Sequence, residues 1–345
     1  MADELYKKEL SPDVIFKACE NIMRHLKGSC SVLYIADSGE SPYLFAITDP
    51  RKIRPLVLGK SNGMYCLTSE TRVFKKINFE YVKDIPGGTV FIIDGKGNIY
   101  EKQIIKKQEM PCMFEYVYFA KPDSRINGRS IHKTRDEIGH LLAREQPADA
   151  DIVIPVPESG RRYALGYSRE SGIPIDDGIM KDKDERSFIQ QTQENRDKVV
   201  EEGLSFIRSV LEGKRVVLVD DSIVRGTNIR KIVRGMKNAG ATEVHVRIGC
   251  PPLIAPCYLG IDMRSRKEFI ARDSKGSIKA WDEIAKEIEA DSLGYVSINS
   301  LKKAIGSEIC KGCIEFPDGY PSEMQGDVKN LFKINKTGIR AYECI

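Results

Sequence analysis

Two neighbouring carboxylates, Asp220 and Asp221, end an apolar run, Val216, Val217, Leu218 and Val219, and are followed at once by Ser222, Ile223, Val224, Arg225, Gly226 and Thr227. The apolar run has the pattern of a buried parallel strand. A helical pattern over 228–240 follows the loop and is closed by Gly240. In open α/β sheets ligands bind beyond the carboxyl ends of the strands. Loop amides that lead into a helix N-terminus make an anion site, and Gly226 lets a ligand approach the backbone closely. A phosphate beside two acids is compatible only if the ligand also offers hydroxyls or a metal for the acids to hold. A sugar phosphate meets that condition. By itself, an Asp-Asp pair after a strand more commonly caps the next helix. No G-x-G-x-x-G or Walker pattern is present, so a dinucleotide or P-loop reading has little support.

The elements that must position this loop are legible around it. Near the start, Ser11 is a suitable N-cap, Pro12 fits the first helical position and Asp13 suits the positive end of the dipole. Ile15, Ala18, Cys19, Ile22, Met23 and Leu26 recur at helical spacing, and Gly28 ends the pattern. Short β-type runs follow at 31–36, 43–48, 56–59, 64–68 and 89–94, the last entering a Gly95-Lys96-Gly97-Asn98 hairpin. Residues 1–107 therefore predict one helix packed on an antiparallel sheet. From 108 the pattern changes. Apolar runs at 151–157, 215–221 and 243–250 alternate with helical stretches such as 130–145, which predicts an α/β domain with a parallel sheet over 108–345. The stretch 277–306 reads as two helices. We find no internal repeat and no low-complexity linker.

Composition sets the outer limits. At roughly 150 residues per domain, 345 residues suggest two domains. Lys plus Arg number 54 against 50 Asp plus Glu, a net charge of +4, which argues against a dedicated nucleic-acid binder. With 41% hydrophobic residues the chain is not disordered by composition. No apolar run approaches the ~20 residues of a membrane span, and the first residues carry no apolar signal core, so a cytoplasmic location is expected. Nine cysteines in such a chain call for a role other than disulfides. Only Cys310 and Cys313 have close ligand-type spacing, which alone leaves zinc, a redox pair and chance open. Cys19, Cys30 and Cys66 read as core residues and Cys344 as incidental, while Cys250 stands near Cys257 with no role assigned. His25, His132, His140 and His245 are scattered without ligand spacing.

The string 216–227 resembles the phosphoribosyl-pyrophosphate (PRPP) motif of type I phosphoribosyltransferases. Further blocks occur in order: 112–124 (CMFEYVYFAKPDS), 154–160 (IPVPESG), 187–196 (SFIQQTQENR) and 292–297 (SLGYVS). With DPRKIRPLVLGK at 49–60, they resemble the amidophosphoribosyltransferase family over essentially the whole chain. That family makes 5-phosphoribosylamine and pyrophosphate from PRPP and glutamine-derived ammonia, the first committed step of purine synthesis. The resemblance implies a type I phosphoribosyltransferase domain preceded by part of an α+β domain of the N-terminal-nucleophile hydrolase type. It implies that Asp220 and Asp221 bind the ribose hydroxyls and help hold Mg²⁺. Residues Ser222 to Thr227 would cradle the 5-phosphate, and Glu158, Ser159 and Gly160 would lie with the pyrophosphate and Mg²⁺. Lys181 to Arg196 resembles the family's active-site lid, with Lys181 and Arg186 as phosphate contacts. Two departures stand out: the lid's opening is shorter and has Gln190 where the family has proline, and the loop at 158–160 reads Glu-Ser-Gly rather than the commoner Asp-Ser-Gly.

Some members of the family hold a [4Fe-4S] cluster on four cysteines, and Cys112, Cys257, Cys310 and Cys313 stand at the matching places. Zn²⁺ in the same Cys₄ set is the alternative. The family's glutaminase half uses an N-terminal cysteine as nucleophile. Here Met1 is followed by Ala2, and the upstream glutamine-gripping motifs are missing. Three explanations are open: a separate glutaminase polypeptide completes the domain, the chain works with free ammonia, or the sequence is a fragment. The first is favoured, because residues 1–107 keep a patterned core. A homo-oligomer is also expected. The competing function is a non-catalytic PRPP-binding regulator on the same fold. Base salvage would need an aromatic hood that no segment supplies.

Overall fold

The structure, a computed structural model, describes residues 10–25, 28–37, 39, 42–181, 203–261, 269–273 and 276–334. The chain divides into two compact units. The first comprises Met1–Lys133, Ile254–Arg266 and Ile305–Ile345, and the second Thr134–Leu253 and Lys267–Ala304.

The first unit opens with helix α1 (Pro12–His25), where Ser11 Oγ accepts the Val14 N–H at 3.4 Å. Strands β1 (Ser31–Asp37), β2 (Pro42–Thr48), β3 (Val57–Ser61), β4 (Met64–Thr68), β5 (Glu80–Asp84), β6 (Thr89–Asp94) and β7 (Ile99–Gln103) follow. They form two antiparallel sheets, ordered β1-β2-β6-β7 and β4-β3-β5, rather than the single sheet the sequence suggested. Period-2 alternation explains the difference. Phe45, Ile47, Val90 and Ile92 turn one face of the larger sheet to Ile15, Cys19 and Met23 of α1. Ala46, Phe91 and Ile93 turn the other face to Leu56, Leu58, Leu67 and Ile85 of the smaller sheet region. A strand buried on both faces reads as a continuous apolar run, so one run at 89–94 serves two cores. Strand β5, with the surface-rich sequence EYVKD, gave no such signal and was missed. Strand β1 is an edge: among the described residues it pairs with β2 alone, and its Leu33 and Ile35 are 45% and 79% exposed.

The second unit is a four-stranded parallel sheet of β8 (Ile152–Pro155), β9 (Arg215–Asp220), β10 (Glu243–Ile248) and β11 (Ser292–Tyr295), in that order. Ile154 lies beside Leu218, Leu218 beside Val246, and Val246 beside Leu293. Helices α2 (Ile131–Glu145), α3 (Arg161–Ser171), α4 (Thr227–Asn238), α5 (Trp281–Glu287) and α6 (Ile298–Ile305) accompany it. The stretch 277–306 holds the two expected helices, but β11 lies between them. It escaped notice because SLGY is short and carries Gly294, a residue unfavourable in strands. The glycine is needed there, since a Cβ on it would stand 2.8 Å from the Gln146 side chain.

Candidate active site

Strand β9 delivers Asp220 and Asp221 to the carboxyl end of the parallel sheet, as its apolar pattern requires. Asp220 is half-buried and Asp221 buried. Asp220 Oδ1 accepts two hydrogen bonds, from the Asp221 N–H at 2.8 Å and from Ser159 Oγ at 2.7 Å. Ser222 Oγ donates to Asp221 Oδ1 at 3.1 Å. Asp221 Oδ2 is buried and has no hydrogen-bond partner among the described residues. Burial pushes both carboxyls above the usual carboxylate range, and the neighbouring Asp220 charge pushes Asp221 further. Two desolvated carboxyls with a bare oxygen call for hydroxyl donors or a cation.

Ser159 arrives from the loop after β8. That loop is held against β9 by the Val156 N–H, which donates to the Val219 carbonyl at 2.9 Å. The contact is so close that a Cβ on Gly160 would stand 2.0 Å from the same carbonyl oxygen. Only glycine fits, which explains Gly160 physically. The Pro157–Glu158 peptide is cis. Glu158 is exposed, with its Oε2 3.9 Å from Arg161 Nε. Helix α3 begins at Arg161, so the loop presents a helix N-terminus beside Ser159.

On the other side of the acids the chain runs through buried Ile223 and half-buried Val224 to exposed Arg225. Val224 O accepts the Ile270 N–H at 2.8 Å. Gly226 occupies the left-handed region at φ 76° as N-cap of α4, with no side-chain cap on the helix. Its φ favours glycine, and a Cβ there would also displace the tip of the Ile270 side chain, which stands 2.2 Å from that position. A cleft of about 200 Å³ opens here, lined by Arg225, Gly226, Thr227, Arg230, Ile270 and Glu287. The N-terminus of α4, the Thr227 hydroxyl and the two arginines suit a phosphate, with Glu287 at the rim as the one opposing charge among these lining residues. Arg230 and Ile270 were not foreseen. Arg230 could have been, since it stands one helical turn after Gly226.

Lys181 is exposed at the end of a short strand, Ile179–Lys181, paired with Leu204–Phe206. Arg186, with the rest of the segment to Arg196, lies outside the described residues.

The remaining site residues belong to the first unit. Cys112, Cys257, Cys310 and Cys313 come from three separate stretches, and all are buried. The backbones around Cys112 and Cys310 run side by side, with Met113 N donating to Cys310 O at 3.1 Å and Cys310 N to Pro111 O at 2.9 Å. Cys313 O accepts the N–H groups of Ile254 and Ala255, which tethers the segment bearing Cys257. The Leu259 N–H donates to Cys257 Sγ at 3.3 Å. Burial pushes the Cys112 thiol well up, with Cys310 and Cys257 adding to it, and burial followed by Cys257 lifts Cys310 to about 12. These thiols are electrostatic neighbours that cannot ionise together without a compensating cation. Among the described residues no three His, Cys, Asp or Glu side chains converge to hold a single metal ion.

Comparison with known proteins agrees with this geometry. The phosphoribosyl transferase domain family matches residues 130–252. The amidophosphoribosyltransferase of Methanocaldococcus jannaschii is 42% identical over 341 residues, covering 94% of this chain and 70% of that protein. The Bacillus subtilis protein of the same name is 38% identical over 314 residues, covering 89% and 64%. A solved structure of the B. subtilis glutamine PRPP amidotransferase, complexed with ADP and GMP, superposes with a TM-score of 0.78 at 35% identity, covering 91% of this chain and 69% of that one. The chain thus spans about two thirds of the length of these relatives. Likeness of this extent, running through both the acid pair and the cysteine segments, makes the chain a member of the amidophosphoribosyltransferase family.

Proposed function

We propose that this chain catalyses formation of 5-phosphoribosylamine and pyrophosphate from PRPP and ammonia, the entry step of purine synthesis. The observation that carries this reading is the 2.7 Å bond from Ser159 Oγ to Asp220 Oδ1. It supports a reading in which the loop 158–160 meets the pyrophosphate and the acid pair meets the ribose, with the cleft of about 200 Å³ at 225–227 receiving the 5-phosphate. The ammonia nitrogen attacks C1 of the ribose, the bond from C1 to the pyrophosphate oxygen breaks, and the adduct gives up a proton. Asp220 and Asp221 hold the ribose hydroxyls, the loop 222–227 holds the 5-phosphate, and Ser159 with Gly160 faces the leaving group. Asp220, Asp221 and Ser159 offer hard oxygen donors suited to Mg²⁺, and Asp221 Oδ2 is unpartnered among the described residues. When bound, Mg²⁺ would neutralise charge on the departing pyrophosphate. With charge spread over the sugar ring in the transition state, positioning and electrostatics supply most of the rate. Lys181 and Arg186 are the proposed lid contacts to phosphate.

The four cysteines are proposed to hold a [4Fe-4S] cluster rather than a single Zn²⁺, a choice that accords with the lack, among the described residues, of three ligand side chains converging on one metal position. In a cluster each sulfur binds a different iron, so the sulfurs stand apart, whereas Zn²⁺ demands one tight tetrahedron. When bound, the cluster would tie the three stretches together structurally. A cytoplasmic setting accords with this chemistry, and among the described residues no helix is long and apolar enough to cross a membrane.

The test is pyrophosphate release from PRPP and Mg²⁺, with ammonia or glutamine as the variable. Activity with ammonia, lost by orders of magnitude in Asp220→Asn and Asp221→Asn, is the expected result. PRPP binding without pyrophosphate release would overturn it in favour of a regulator.

A further inference from the structure

The first unit contains a buried ion pair that the reaction does not use. Arg54 Nη1 lies 2.9 Å from Glu115 Oε1, and both side chains are largely withdrawn from solvent. Burying such a pair is costly unless its charges meet a further demand. The pair sits among the cysteine segments. Ile53, just before Arg54, accepts the Cys112 N–H through its carbonyl at 3.0 Å. Glu115 follows Cys112 by three residues. The other arm of the guanidinium, Nη2, stands 3.5 Å from where a Cβ on Gly260 would be, three residues past Cys257. The fork therefore reaches from the segment of Cys112 to that of Cys257.

We propose that Arg54, anchored by Glu115, is the positioning cation of the four-cysteine site and sets both the retention and the reduction potential of the iron–sulfur cluster held there. This rests on the cluster reading above. Burial works against the charge on Arg54, but Cys112, then Glu115 and Cys257, more than offset it. Net charge and hydrogen bonding around the sulfurs are the main controls on the potential of such clusters. A fixed cation beside the thiolates favours the more negative, one-electron-reduced form and so raises the potential. The carboxylate of Glu115 opposes it.

The full chain is purified without oxygen and reconstituted with ferrous iron and sulfide, and compared with Arg54→Met, Arg54→Lys and Glu115→Gln. Iron and sulfide content, iron loss to a chelator, and potential by dithionite titration are measured. Arg54→Met is expected to lower the potential and lose iron at least tenfold faster. Arg54→Lys is expected to restore most of both, and Glu115→Gln to move the potential upward. A packing role would not produce shifts of opposite sign. If the parent chain takes up no iron and sulfide, the cluster reading itself fails. If it does, and Arg54→Met and Glu115→Gln leave its potential unchanged, the role of Arg54 is overturned. Should Arg54→Met not fold, the sign of the Glu115→Gln shift decides: an upward shift supports the proposal, and none or a downward one overturns it.

Discussion

Ser159 Oγ donates to Asp220 Oδ1 across 2.7 Å, although the two residues are 61 positions apart in the chain. The bond joins the loops that follow two adjacent parallel strands, β8 and β9. Asp220 is thereby held through Oδ1, while Asp221 Oδ2 is buried with no hydrogen-bond partner among the described residues. The two acids are therefore not equivalent.

Replacing Ser159 with alanine should free Asp220 without opening the core. A hydrogen bond to a charged group contributes about 1.5–3 kcal/mol. We expect kcat/KM for PRPP to fall by roughly 10- to 100-fold, with little change in melting temperature. Steady-state pyrophosphate release and a thermal melt check both parts.

Burial raises the carboxyls of Asp220 and Asp221, so the folded state binds their protons more tightly than the unfolded chain. The sign follows from linkage. Their contribution is fully present below the usual carboxylate pKa of about 3.9, and it is lost as pH rises through the raised values. Asp221→Asn removes that penalty. It should raise the melting temperature by roughly 2–4 °C near pH 8, and the gain should vanish near pH 4. Bound Mg²⁺ and PRPP should stabilise the parent chain near pH 8 more than the variant.

Gly226→Ala places a Cβ in the left-handed region and against Ile270 at the mouth of the phosphate cleft. The left-handed conformation costs about 1–2 kcal/mol for a residue other than glycine. The loop should shift, raising KM for PRPP severalfold or more. Isothermal titration with PRPP reads the change directly, and an unaltered affinity would remove Gly226 from the phosphate site.

Much of this protein was legible in its residues alone, because local pattern reports local structure. Apolar runs at 151–157, 215–221 and 243–250 could only be buried strands, and a buried parallel strand must present its next residues at the ligand-binding end of the sheet. The acid pair, Ser222, Gly226 and Thr227 could therefore be placed at the carboxyl end of the sheet from their order. The sequence also carried the amphipathic face of α1 and the hairpin at Gly95–Asn98, since each depends on a period or on turn chemistry. The second sheet of the first unit and strand β11 were not legible, because partner choice between sheets and the pairing of a short glycine-bearing strand are decided by neighbours far along the chain. The same holds for the contact of Ser159 with Asp220, for Ile270 against the phosphate cleft, and for Arg54 between the segments of Cys112 and Cys257. Those juxtapositions depend on which distant segments pack together, and packing, unlike periodicity, leaves no mark on any single stretch of sequence.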